Sequence, residues 1–160
     1  MKKFIVVMAL LATATAVQAQ DEGYIELLRS DIRTTKIAVI TEVMQLEGEQ
    51  SEAFWSVYKE YDHEMSKIND KRLAVIKDYA KNFENITDEK ATELVNGSLA
   101  FLQARLDLQK KYFKEFQTAL PAALAAKFIQ LDRQIMLLID LQIAANVPLI
   151  EPSMLSEKTE

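Results

Sequence analysis

Between Val95 and Leu120 the apolar residues fall into a 4-3-4-3 row that admits little besides a long amphipathic helix. Val95, Leu99, Leu102, Leu106, Phe113, Phe116 and Leu120 keep the spacing, with Gln109 as its one polar member. Residues four and three apart share a face of an α-helix, whereas a half-buried strand needs alternation in twos. A second row, Leu94, Ser98, Phe101, Arg105, Leu108 and Tyr112, runs beside the first. Two adjacent rows predict a wide apolar face that packs on more than one neighbour.

The same rhythm predicts three further helices. One spans about 24–45, with Ile25, Leu28, Ile32, Val39 and Val43 on its stripe. A second runs from about Glu49 to Asn82 through Phe54, Tyr58, Tyr61, Met65 and Ile68, then Leu73, Ile76, Ala80 and Phe83. At 1.5 Å per residue that rod is about 50 Å long. The last spans about 121–145 through Leu124, Phe128, Leu131, Ile135 and Leu138. From Ile135 to Ile143 it is apolar nearly all round, which predicts a central position in a core or a subunit interface. Glycine and proline number only three each, in keeping with helix throughout. The fold class is therefore all-α, with four helices of which two are long.

Punctuation agrees with these limits. Thr87 suits an N-cap, and Asp88 and Glu89 complement the positive end of the following helix. Pro121 suits a first helical position. Gly48 either opens the second helix or closes the first in a left-handed cap. Asn146, Pro148 and Pro152 end the fourth.

At the N-terminus, Lys2 and Lys3 precede the apolar stretch Phe4 to Ala12, and Val17-Gln18-Ala19 offers small residues before a cut. That pattern is a cleavable export signal over 1–19, too short to span a bilayer. With no cysteine there is no lipid attachment after it and no disulfide. The organisation expected is thus leader 1–19, one helical domain over 20–150, and a polar tail over 151–160. Loss of the leader leaves 17 Lys and Arg against 24 acids, a net charge of −7. Such a balance argues against nucleic-acid binding, which needs a basic face, and against affinity for an anionic membrane.

The helix starts carry a resemblance. Leu46-Glu47-Gly48-Glu49-Gln50, Ile86-Thr87-Asp88-Glu89-Lys90 and Leu120-Pro121-Ala122-Ala123-Leu124 each place an apolar residue just before a helix. Leu-Thr-x-x-Gln at that place is the frame of the small periplasmic helical proteins typified by Spy and CpxP, and physically it is a capping box. The chain resembles a divergent member. Leu46 and Gln50 keep two positions of a first copy, Ile86 and Thr87 two of a second, and Leu120 one of a third. Glu47, Lys90, Pro121 and Leu124 depart from it. The resemblance implies a periplasmic, elongated, cradle-like homodimer of helical hairpins. It further implies ATP-independent holding of unfolded or stress-damaged envelope proteins, or a signalling accessory that binds a sensor-kinase ectodomain or a metal.

Chemistry beyond binding finds little support. Glu60-x-x-His63 has the form of a di-iron half-site, but the chain has a single histidine, so Glu60 and His63 are at most a weak metal candidate. Covalent haem needs cysteines that are absent. Nothing resembles a nucleophile elbow or a glycine-rich phosphate loop. No enzyme and no cofactor is expected. Arg72 and Arg105 interrupt apolar rows on the two long helices, and their stems snorkel to solvent or to a neighbouring acid. As a binding floor they would offer charge to acidic or backbone groups beside apolar segments held by Phe54, Tyr58 and Tyr61, aromatics that otherwise serve as core.

Overall fold

The computed structural model describes residues 32–150. The expected leader over 1–19, the expected start of the first helix with Ile25 and Leu28, and the expected tail over 151–160 lie outside the described residues. Four helices make up the described chain: α1 over 32–44, α2 Gly48–Asn82, α3 Asp88–Ala119 and α4 Ala122–Asn146. A 3-10 turn, Phe83–Asn85, follows α2. No strand occurs among the described residues. The chain divides into two compact units, one ending at Gln45 and one beginning at Leu46.

In the first unit, α1 ends at Gln45, whose φ of +48° supplies the left-handed cap, so of the two roles expected of Gly48 the one observed is the opening of α2. Gly48 has a φ of +54° as well, but it stands at the start of α2. The expected stripe of α1 is displaced. Ile32, Val39 and Val43 are exposed, while Ile40 and Met44, one position round, are buried. Spacing alone does not choose between adjacent rows that are both apolar.

In the second unit, α2 and α3 are 35 and 32 residues long and form an antiparallel hairpin. Thr87 caps α3, its hydroxyl accepting from the Lys90 amide at 3.2 Å. The side chain of Lys90, where the capping-box frame has glutamine, turns instead to Asp78 on α2 at 3.1 Å and to Glu93 at 2.6 Å. The reciprocal half of the cap is thereby replaced by an ion pair between helices. Leu120 closes α3 through its amide to the Phe116 carbonyl at 2.9 Å, and Pro121 is the N-cap of α4 rather than its first helical residue. Leu120 and Ala125, which flank that start at staple spacing, are both buried.

The core of this unit is aromatic. Phe54, Tyr58 and Tyr61 on α2 meet Phe116 on α3 and Phe128 on α4, with the Phe116–Phe128 centroids 4.5 Å apart. Farther along the hairpin Gly97 lets α3 approach α2: a Cβ there would stand 2.9 Å from Val75 Cγ2.

Candidate functional site

Three features of the second unit bear on function, and the first reverses an expectation. The row Val95, Leu99, Leu102 and Leu106 does not pack; these side chains are 44–57% exposed. Leu94, Phe101, Leu108 and Tyr112 of the neighbouring row are buried in their place, and Phe116 and Leu120 rejoin the core farther on. The cause is geometric. A strict seven-residue repeat drifts about 20° per heptad on a straight helix, roughly 60° between Val95 and Phe116. One row therefore cannot stay on the core side for the whole length of α3. At its far end the exposed row reaches Phe113, which with Ala123, Ala126 and Ile129 of α4 lines a shallow hollow of about 310 Å³.

Helix α4 shows the same reversal. Its apolar stretch is not central within the unit: Leu137, Leu138 and Leu141 are about two-thirds exposed, while Phe128, Leu131 and Met136 face inward. Isolated exposed leucines are ordinary, but four large aliphatics outward in one row of α3 and three more outward on α4 leave these helices with apolar faces that water solvates poorly. No helix among the described residues is long and apolar enough to cross a membrane.

The second feature joins residues far apart in sequence. Arg72 of α2 donates from Nη1 to Asp140 Oδ1 at 2.5 Å, and Arg105 of α3 donates from Nη1 to Asp140 Oδ2 at 2.9 Å. Both guanidiniums also lie over the Phe101 ring, 4.9 and 5.1 Å from its centroid. All three helices are pinned at this level by one carboxylate held between two cations. Beside it opens a hollow of about 210 Å³ lined by Val75, Ile76, Ile143 and Val147. Tyr79 Oη donates to the Pro148 carbonyl at 2.7 Å and fastens the end of α4 to α2.

The third is buried. Asp132 of α4, fully shielded from solvent, accepts from Tyr61 Oη at 2.5 Å and from Gln109 Nε2 at 3.1 Å. Burial and the adjacent Asp132 carboxylate push the Tyr61 phenol well above its ordinary range, so it stays a donor. One turn along α2, Glu64 accepts from Lys111 at 2.9 Å and from Tyr112 Oη at 2.9 Å. Those bonds hold the Glu64 carboxyl below its ordinary value, and burial together with Glu64 raises the Tyr112 phenol to about 12.

Of the candidate residues, Arg72 and Arg105 are brought together, on Asp140. Phe54, Tyr58 and Tyr61 are sealed in the core, 0–3% exposed, and present no surface to a partner. Glu60 and His63 lie on the exposed side of α2, and no three His, Cys, Asp or Glu side chains converge among the described residues. Leu46 and Gln50 stand at the start of α2, where Glu47 makes no side-chain cap. Ile86 and Leu120 are buried beside their turns. Sequence reasoning placed Phe101 in an apolar row with no part in a site, and passed over Asp132. A signal existed for Asp132, which follows Phe128 by four and so interrupts the inward stripe of α4. The chain matches no family model, no curated protein and no solved structure.

Proposed function

We propose that this is an exported, periplasmic, non-enzymatic binding protein that acts as Spy- and CpxP-type chaperones do, holding apolar segments of unfolded or stress-damaged envelope proteins without ATP. The observation that carries the reading is the outward row Val95, Leu99, Leu102 and Leu106, with Leu137, Leu138 and Leu141 on α4. Rows of exposed apolar side chains on an acidic chain suit shallow, reversible contact with another apolar segment. The broken capping frames at Leu46, Ile86 and Leu120 support the same kinship. In this reading the molecule works as an elongated cradle-like homodimer, and Arg72 and Arg105 add charge at the edge of the client surface.

The test mixes the secreted form, beginning at residue 20, with a chemically denatured client that aggregates on dilution. Light scattering should fall near equimolar ratio. Replacing Leu99, Leu102 and Leu106 together by serine should abolish the effect without lowering the melting temperature, because those side chains lie outside the core. Scattering unchanged at several-fold excess overturns the reading and leaves the signalling accessory as the better account.

A further inference from the structure

We propose that the hollow beside Arg72, Arg105 and Phe101 is a binding site for a short amphipathic carboxylate. The carboxylate would lie on Arg72, which lines the hollow together with Asp140, with Arg105 neutralising Asp140 through its other oxygen, and the apolar body against Val75, Ile76, Ile143 and Val147. This stands on residues other than the outward leucines and does not depend on client holding.

Charge is the first support. Two permanently ionised guanidiniums share the single Asp140 carboxylate, so the cluster keeps one positive charge in excess. Donor accounting is the second. A guanidinium carries five N–H donors in a planar fork, and Arg72 and Arg105 each direct one nitrogen to Asp140. With Arg105 on Asp140 as well, the remaining edge of Arg72 in the hollow is available to a second planar anion, and carboxylate is the group whose geometry matches that fork. Position is the third. The Arg72, Arg105 and Asp140 side chains are 16–23% exposed, shielded enough to strengthen the attraction and open enough for a ligand to arrive. The Phe101 face beneath both cations holds them in place before anything binds.

The adjoining hollow decides what the anion carries. Beyond Arg72, Asp140 and Ser98 its lining is apolar, so each methylene buried there adds to affinity over a bare ion. At about 210 Å³ it lies below the roughly 300 Å³ where drug-sized sites begin, so the body is short. Ala144 lies at the rim of the hollow with its side chain exposed, so a larger residue there blocks the space without entering the core.

Octanoate titrated into the full secreted chain by calorimetry tests the assignment, with acetate and octanol as probes lacking the tail and the charge. Saturable one-to-one binding is expected, with both controls at least about tenfold weaker. Arg105→Gln should weaken octanoate about tenfold. Asp140→Asn should strengthen it, because the competing carboxylate is gone; a cluster serving only to join helices would lose binding in both variants. Ala144→Trp should abolish binding at an unchanged melting temperature. No saturable binding at millimolar octanoate, octanol binding as well as octanoate, a parallel loss in Asp140→Asn, or wild-type binding by Ala144→Trp each overturns the proposal.

Discussion

Removing one oxygen, by Tyr61→Phe, should show how much the buried Asp132 contributes to holding α2 against α4. The ring is fully buried and keeps its neighbours Tyr112, Phe116 and Phe128 in the variant, so the packing change is small. What is lost is a 2.5 Å hydrogen bond to a carboxylate with no exposure to water. Hydrogen bonds to charged groups contribute about 1.5–3 kcal/mol, and Gln109 remains to satisfy part of the carboxylate, so a loss of about 2 kcal/mol is expected. For a domain of this size that is a fall in melting temperature of roughly 6–10 °C. A second signature lies at high pH. The folded phenol is raised above its unfolded value of 10.0, so the native state keeps a proton that the unfolded chain releases. The associated stability is complete below pH 10 and declines above it, by about 1.4 kcal/mol per pH unit for one proton. Urea titrations of both proteins from pH 7 to 11.5 measure both effects. Tyr61→Phe should start lower and then converge on the wild type as the pH rises. A variant within about 0.5 kcal/mol of wild type at pH 7, with a parallel alkaline limb, would refute a charge-assisted bond at this place.

Other expectations follow from single contacts. Thr87→Ala removes the acceptor of the Lys90 amide and should lower stability by about 1 kcal/mol in denaturant titration, with Thr87→Ser close to wild type. Phe128→Ala empties the centre of the aromatic cluster and should cost about 3–5 kcal/mol, whereas Leu138→Ala, at an exposed position, should stay within about 0.5 kcal/mol. Tyr112→Phe should flatten the loss of stability between pH 10 and pH 12, the interval between its unfolded and folded values; an unchanged slope would show that Glu64 does not hold that proton.

Helix limits were legible because their signals are local. Thr87 before Asp88, and Leu120-Pro121 between α3 and α4, specify an end within a few residues. The buried face of α3 was not legible, because two parallel rows are both apolar and a straight helix carries each of them gradually round. The site was half legible. Arg72 and Arg105 stood out as charges on apolar rows, but nothing local announces that they meet, nor that Phe101 lies under both.

What joins them is the rule that a polar group on a packed face must find a partner, applied to a hairpin of known turn. Gln109 and Arg105 interrupt the rows of α3; Asp132 and Asp140 interrupt the apolar face of α4. The link between these helices is only Leu120 and Pro121. In so tight a hairpin, residues about equally far from the turn lie side by side. Phe116 then faces Phe128, Gln109 faces Asp132 and Arg105 faces Asp140, the three pairings observed. Each interruption is thus one half of a pair, and the turn sets the register that matches the halves. Arg72 escapes the rule, since Arg105 already answers Asp140. A second cation on a carboxylate that one cation suffices to neutralise is surplus to the packing of α3 on α4, and that surplus charge is what sets this level of the molecule apart from the core beneath it.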